Sequence, residues 1–112
     1  MSETFFSKLV GVTFEGRQDH ISDLLDLIEE QLAPHPYGWP LEVVQEPNNP
    51  YDSNAINIKY RGSSLGHLNR ELAANLTAQI RQGVLVNIFL REITGNGLDQ
   101  IFGVNILIEV KR

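Results

Sequence analysis

The sequence contains no cysteine, which removes the two commonest covalent and metal-based supports of a small fold. Without cysteine there are no disulfides and no thiolate zinc sites. Nitrogen ligands for a metal are limited to His20, His35 and His67. These three residues fall in different predicted elements and lack the spacing of a metal site. We therefore expect no metal and no other cofactor.

Long hydrophobic runs are also missing. No stretch approaches the length of a membrane-spanning helix, and the pair Phe5-Phe6 is too short for the apolar region of a signal peptide. The 112 residues suffice for one hydrophobic core and are too few for two, so residues 1–112 should form a single domain. We expect a soluble, cytoplasmic protein with no membrane association.

Positive charge is scarce, and the net charge is −5. Five acidic residues lie in one segment that has no Lys or Arg: Asp19, Asp23, Asp26, Glu29 and Glu30. Outside this segment nine acidic residues balance the nine basic ones. We interpret the acidic run as the solvated face of a helix, so an anion-binding surface should lie elsewhere.

Two segments have the hydrophobic periodicity of amphipathic helices. The first covers about residues 20–32, with Asp19 as its predicted N-cap and Pro34 ending it. The second covers about residues 70–82 and is capped by Asn69. The predicted buried stripe of the first helix is Ile21, Leu24, Leu25, Ile28 and Leu32.

Apolar and alternating runs predict six strands, at residues 8–14, 41–45, 56–60, 65–68, 84–93 and 101–110. In the last one, alternate residues should share a buried face: Phe102, Val104, Ile106, Ile108 and Val110. The proline-rich segment 34–40 is expected to be irregular, with Trp39 buried. Because no parallel βαβ rhythm occurs, the sequence predicts a mainly β (α+β) fold, a small six-stranded antiparallel β-barrel flanked by two α-helices.

The segment from Glu46 to Ile56, EPNNPYDSNAI, is the most informative part of the chain. It places polar side chains, two prolines and one aromatic ring between two apolar runs. Each proline fixes its own φ and biases the preceding residue toward extended geometry, so Tyr51 and Asp52 should be held rigidly. An aromatic ring and a carboxylate presented on a rigid loop are typical of a binding site.

Four motifs resemble the HIRAN domain family: VGV at residues 10–12, the segment 46–56, LGHL at residues 65–68 and RELA at residues 70–73. Their order and spacing also agree, over about residues 9–110. The resemblance implies an OB-like β-barrel that binds single-stranded DNA at its 3′ end. It further implies a role in DNA repair at the replication fork. In the best-understood members of the family, the domain is fused to a fork-remodelling helicase of the Swi2/Snf2 type. This sequence has no phosphate-binding Gly-Lys-Ser loop, so a helicase or nuclease would be a separately encoded partner.

The resemblance also implies a set of DNA-binding residues: Tyr51, Asp52, Asn49, His67, Arg70, Phe14 and Val10. Tyr51 matches the position whose ring stacks on the terminal base, although it could instead pack against the sheet. Asp52 would accept a hydrogen bond from the 3′-hydroxyl and repel a 3′-phosphate. Its alternative role is an Asx-turn in which it accepts the N–H of Asn54.

The remaining residues of this set also have two interpretations each. Arg70, at the start of the second helix, could share a phosphate with the free N–H groups there or be an ordinary exposed arginine. His67 could donate to a phosphate or be a structural residue, and Asn49 could bond the terminal nucleotide or brace its loop. Phe14 could stack on a base.

The sequence departs from the family on the first predicted strand. Thr13 and Glu15 stand where DNA-binding relatives carry an arginine and an aromatic residue. Arg17, in the following turn, could supply the missing positive charge.

The predicted function is therefore a non-catalytic module that recognises single-stranded DNA 3′-OH ends. One alternative is a protein–protein interaction module that keeps the fold and uses Tyr37, Trp39 and a sheet edge. A weaker alternative is a metal-dependent phosphodiesterase that uses Asp52, His67 and Glu46. Such an enzyme would need converging metal ligands or a nucleophile–base pair.

Overall fold

The computed structural model describes residues 2–112. Its elements follow one another as β1 (Ser2–Lys8), α1 (Arg17–Ile28), β2 (Trp39–Gln45), β3 (Ile56–Tyr60), β4 (Ser63–His67), α2 (Arg70–Arg81), β5 (Leu85–Thr94) and β6 (Gly103–Lys111). Neighbouring strands are antiparallel throughout. The protein is thus mainly β with six strands and two helices over the described residues, as predicted.

The six strands form one sheet in the order β1-β6-β5-β2-β3-β4, and this sheet is not closed. The predicted barrel is therefore not confirmed. Strand β1 ends at Lys8, and Leu9 still donates its N–H to Val104 of β6, at 3.0 Å. The next residue, Val10, forms an isolated bridge to His67 of β4 through backbone hydrogen bonds of 2.8 and 2.9 Å. Within residues 2–112, this one bridge joins the two edges because β1 stops before it can form a ladder with β4.

Gly66 allows the two edges to approach each other. A Cβ atom at this position would lie 2.8 Å from the carbonyl oxygen of Val10 and 3.2 Å from the Cβ of Leu9. Any side chain would push the chain away from β4 and weaken the bridge to His67. The glycine of the LGHL motif is thus required by close packing.

One hydrophobic core joins the sheet to both helices. The residues whose alternation was predicted are each at most 7% exposed: Phe102, which directly precedes β6, and Val104, Ile106, Ile108 and Val110 of that strand. Ile21 and Leu24 of α1 and Ala73 and Leu76 of α2 complete the packing. Burial of such side chains contributes roughly 1.5–3 kcal/mol each for the larger ones.

The first strand lies earlier than predicted, at residues 2–8 instead of 8–14. It pairs with β6 from Ser2, opposite Lys111, to Lys8, opposite Asn105. Beyond Val10 the chain turns at Gly11, whose φ is 68°, so residues 11–14 cannot continue the strand. The short apolar alternation there belongs to a turn region and not to an extended segment.

Helix α1 covers residues 17–28 instead of the predicted 20–32. Its N-cap is Gly16, not Asp19, which lies in the first turn. The predicted buried residue Leu32 is 95% exposed. The segment 29–32 buries no side chain, and tertiary packing is what mainly holds a short helix together, so α1 ends one turn early.

Helix α2 matches its prediction to within one residue. The Oδ1 atom of its N-cap, Asn69, accepts the N–H of Leu72 at 2.9 Å. Within residues 2–112, no helix has the length and hydropathy that a membrane crossing requires.

Strand β2 includes Trp39 and Pro40, although residues 34–40 were expected to be irregular. These two residues pair with β5, whereas pairing with β3 begins at Glu42. Pro40 therefore lies where the strand is paired on one side only, a position that tolerates proline better than a fully paired one. Trp39 is half-buried against the core. Strands β3 to β6 fall within two residues of their predicted bounds.

Replacement of Gly66 by alanine should lower the free energy of unfolding by about 1–3 kcal/mol, because the added Cβ collides with the Val10 carbonyl. Urea denaturation measures this loss. Hydrogen exchange should locate it at the amides of Val10 and His67.

The matched control is Ser63→Ala on the same strand, which should change stability by less than about 0.5 kcal/mol. Equal stability of Gly66→Ala and wild type would contradict the close-packing role of this glycine.

Candidate nucleic-acid interface

The loop between β2 and β3, residues 46–55, is held by internal hydrogen bonds. Glu46 donates its N–H to the carbonyl of Ala55 at 2.9 Å, which closes the base of the loop. Inside it, the Oδ1 atom of Asn49 accepts the N–H groups of Tyr51 at 2.9 Å and Asp52 at 3.2 Å. Asn49 therefore braces the loop, one of the two roles considered for it.

Helix α2 fixes the far side of the same loop. Thr77 is 2% exposed, and its hydroxyl donates to the carbonyl of Asn54 at 3.0 Å. A buried hydrogen bond of this kind contributes about 1 kcal/mol and costs more than that to leave unmade. The loop backbone is thus anchored at its base, at its tip and to a helix.

Tyr51 presents its ring to solvent from this fixed backbone. The residue is 88% exposed, while its N–H is bound by Asn49 and its carbonyl accepts a hydrogen bond from Arg70 Nη2 at 2.9 Å. The ring does not pack against the sheet, so the structural alternative considered for Tyr51 is wrong. A ring held in this way can stack on a flat ligand with little loss of backbone entropy.

The two carboxylate oxygens of Asp52 are in different situations. Oδ1 accepts the N–H of Asn54 at 2.9 Å, which forms the predicted Asx-turn. Oδ2 lies 3.7 Å from Nε of Arg70, too far for a hydrogen bond. Because the Arg70 side chain is 78% exposed, this ion pair contributes little, at most about 1 kcal/mol. Oδ2 can therefore accept a hydrogen bond from a ligand.

His67 connects Arg17 to Glu46 through its two ring nitrogens. Nδ1 lies 3.0 Å from Nη2 of Arg17, and Nε2 lies 2.6 Å from Oε1 of Glu46. A guanidinium can only donate, so Nδ1 must be the acceptor and Nε2 must carry the proton that binds Glu46. His67 is thus a structural link, and donation to a phosphate would require it to release Glu46.

Glu46 is held as a carboxylate by several donors. Besides His67, its oxygens accept hydrogen bonds from the amide groups of Asn49 and Asn57, each at 3.3 Å. Burial raises the pKa of Glu46, but these three hydrogen bonds outweigh it, so the pKa lies below its ordinary value of 4.5. Burial also lowers the pKa of Arg17, with Glu46 partly opposing that shift.

Arg17 is the first residue of α1, not part of a turn, and it is 9% exposed. Its Nη1 donates to the carbonyl of Gly11 at 2.8 Å, and its guanidinium carbon lies 5.2 Å from the centre of the Phe14 ring. A cation over an aromatic face is attracted by the ring quadrupole. Phe14 itself remains 69% exposed. Arg17 therefore holds the turn that carries this second exposed ring.

All seven predicted site residues border one groove of about 370 Å³. They belong to four segments of the chain: the segment after β1, the β2–β3 loop, the end of β4 and the start of α2. The complete lining is Val10, Gly11, Phe14, Arg17, Asn49, Tyr51, Asp52, Ala55, His67, Leu68 and Arg70. Among residues 2–112, no cluster of three or more His, Cys, Asp or Glu side chains could hold a metal ion.

The sequence profile of the HIRAN domain matches residues 3–111, nearly the whole chain. The chain belongs to the HIRAN domain family. HIRAN domains are known in general as DNA-binding modules. Comparison with curated proteins gave no significant match.

Two solved structures share this fold. The HIRAN domain of human HLTF superposes with a TM-score of 0.61 at 19% identity, over 99% of this chain and 81% of that one. A protein from Lactobacillus plantarum superposes with a TM-score of 0.58 at 16% identity, over 100% of both chains. At these identities the likeness concerns the fold alone.

Sequence reasoning missed two polar residues that support the groove of this HIRAN domain. Gln18 donates to the carbonyls of Val12 and Phe102, at 2.9 and 3.0 Å, and accepts the N–H of Phe102. Its main partner is 84 residues away, so no local pattern could reveal it. Thr77 did carry a signal, because it is a polar residue on the apolar stripe of α2, four positions after Ala73.

Asn49→Ala should destabilise the loop by about 1–2 kcal/mol, because two backbone N–H groups lose their acceptor. Hydrogen exchange at Tyr51 and Asp52 should become faster, and urea denaturation should show the global loss. The control is the neighbouring Asn48→Ala, whose side chain is exposed. If the two variants behave alike, the bracing role of Asn49 is wrong.

Glu46→Gln should destabilise the protein by about 1 kcal/mol at pH 7, where the wild-type carboxylate is ionised. The pKa of Glu46 is depressed in the folded state, so its contribution is present above pH 4.5 and is lost as the pH falls through the lowered pKa. The stability difference between wild type and variant should therefore shrink below pH 4.5.

Denaturation curves from pH 3 to pH 7 check this expectation, with the exposed Glu30→Gln as the charge-matched control. A difference that stays constant over the whole pH range would contradict the assigned role of Glu46.

Proposed function

We propose that this HIRAN domain binds the 3′ end of single-stranded DNA and catalyses no reaction on it. The proposal is carried by one observation: an exposed ring, Tyr51, and a carboxylate oxygen that accepts no hydrogen bond, Asp52 Oδ2, are adjacent on a hydrogen-bonded loop. A ring alone would favour any base along a strand. A carboxylate beside it favours the position where a hydroxyl replaces the next phosphate.

In this proposal, the Tyr51 ring stacks on the terminal base. Base–aromatic stacking contributes roughly 1–3 kcal/mol and tolerates every base, so little sequence preference is expected. Phe14, whose exposed ring borders the same groove, provides a second stacking surface, and Val10 provides an apolar contact.

In this proposal, Asp52 distinguishes a 3′-hydroxyl from a 3′-phosphate at the end of the strand. Its Oδ2 accepts the O–H of a free 3′-hydroxyl in a charge-assisted hydrogen bond, which is roughly twice as strong as a neutral one. A 3′-phosphate would place negative charge against the same oxygen. Since Oδ1 is engaged by the N–H of Asn54, the orientation of the carboxylate is fixed before the ligand arrives.

Arg70 is the cation best placed to contact a phosphate of the bound strand. Its guanidinium is anchored by the Tyr51 carbonyl and is otherwise exposed. Asn49 and His67 contribute by position, because their polar atoms are engaged within the protein. With few exposed cations in the groove, affinity should be modest and only weakly dependent on salt. Such a module would serve a helicase or nuclease.

Fluorescence anisotropy with short labelled strands that end in either a 3′-hydroxyl or a 3′-phosphate tests this function. Wild type should prefer the hydroxyl end by about tenfold or more. Tyr51→Ala should weaken binding to both ends by roughly 1–3 kcal/mol, and Tyr51→Phe should retain it.

Asp52→Asn removes the negative charge of the carboxylate and keeps the Asx-turn, because the side-chain oxygen of asparagine can still accept the N–H of Asn54. This variant should lose the preference for the hydroxyl end while remaining folded. Asp26→Asn on the exposed face of α1 removes the same charge and should leave the preference unchanged. Equal binding of both ends by wild type would refute the proposed recognition.

A further inference from the structure

Exposure alternates along the chain that leads from β1 into the groove. Phe6 is 71% exposed, Lys8 is exposed and Val10 is 46% exposed. Leu9, between Lys8 and Val10, is 4% exposed, and Phe5, which precedes Phe6, packs against the core. Because successive side chains of an extended chain point to opposite faces, Phe6, Lys8 and Val10 lie on the same side. This exposed row ends at Val10, which borders the groove of Tyr51.

A second groove, of about 540 Å³, lies at the other end of the row. Its lining is Phe6, Ser7, Lys8, Arg91, Glu92 and Asn105. The guanidinium carbon of Arg91 lies 5.9 Å from the centre of the Phe6 ring, and its Nη1 donates to the carbonyl of Tyr37 at 3.1 Å. The second groove therefore has an exposed ring with a fixed cation beside it.

The charges of the second groove favour an anionic occupant. The ammonium of Lys8 makes no ion pair or hydrogen bond with any residue from 2 to 112. Glu92 is the acid in the lining, and its Oε1 accepts a hydrogen bond from Asn105 at 3.3 Å. Two cations thus face one carboxylate, and a cation paired with an aromatic ring is the combination that binds single-stranded nucleic acid.

We propose that the DNA strand whose 3′ end occupies the groove of Tyr51 continues along β1 into the second groove. Lys8 contacts a phosphate there, and the Phe6 ring stacks on a base several nucleotides before the end. Four residues of extended chain, from Phe6 to Val10, span about 13 Å. At about 3.4 Å per nucleotide in a stacked strand, this corresponds to roughly four nucleotides, and to fewer in an extended strand.

The inference rests on the proposed function, but the two can be separated by strand length. A dinucleotide with a 3′-hydroxyl reaches only the groove of Tyr51, whereas an octanucleotide reaches both grooves. Wild type should bind the octanucleotide about tenfold more tightly than the dinucleotide. Phe6→Ala and Lys8→Ala should each remove most of this gain and leave dinucleotide affinity unchanged.

Salt dependence gives a second measurement. For the octanucleotide, Lys8→Ala should reduce the slope of log K against log salt by about 0.7, the value for one phosphate contact on a single strand. Lys111→Ala, which removes the same charge at the opposite end of the β1–β6 pair and borders neither groove, should keep both the gain and the slope.

Each possible result of the strand-length and variant measurements either supports or overturns the path along β1. Equal affinity for the two strands, or a length gain unaffected by Phe6→Ala and Lys8→Ala, overturns the path along β1 and leaves the 3′-end site intact. Absence of binding to both strands overturns the path together with the proposed function. Self-association that is lost in Phe6→Ala, without any length gain, assigns the second groove to protein contacts instead.

Discussion

His67, at the end of β4, joins three other segments that border the groove. Its backbone forms the bridge to Val10, its Nδ1 accepts from Arg17 at the start of α1, and its Nε2 donates to Glu46 at the start of the β2–β3 loop. The first segment supplies Phe14, and the last supplies Tyr51 and Asp52. These contacts tie the segments that carry the two exposed rings to one another.

The charges around His67 differ in kind from those at the mouth of the groove. Glu46 and Arg17 are partly withdrawn from water, and each is satisfied by several hydrogen bonds. Removal of one partner from such a network leaves an unsatisfied polar group, which is far more costly than loss of an exposed ion pair. Arg70, whose side chain is exposed, forms only a distant ion pair with Asp52, and a ligand can replace that pair at little cost. The site thus combines a rigid hydrogen-bonded network around His67 with a weakly held charge pair, Arg70 and Asp52, at the mouth of the groove.

The parts of the fold that depend on local patterns could be predicted from the sequence. The buried residues predicted for β6, the periodicity of α2 with its Asn69 cap, and the rigid loop around Tyr51 all follow from neighbouring residues. The seven residues of the candidate site could also be brought together in advance, but through resemblance to a family and not through spacing. The structure places them around one groove.

The parts that depend on distant contacts could not be predicted. Arg17 is 50 residues from His67, and Glu46 is 21 residues from it, so no sequence period links them. The same reason explains the misplaced first strand. Residues 2–8 form a strand because β6 pairs with them from the other end of the chain, whereas Gly11 turns the more regular segment that follows.

The position of Trp39 gives the protein an internal optical reporter. It is the chain's one tryptophan, it packs against the core, and its indole nitrogen is buried with no hydrogen-bond partner among residues 2–112. It also borders neither of the two grooves. Its fluorescence emission therefore reports whether the core is folded and not whether a groove is occupied by a ligand. Intrinsic fluorescence can thus distinguish a variant that has lost its fold from one that has lost a ligand contact.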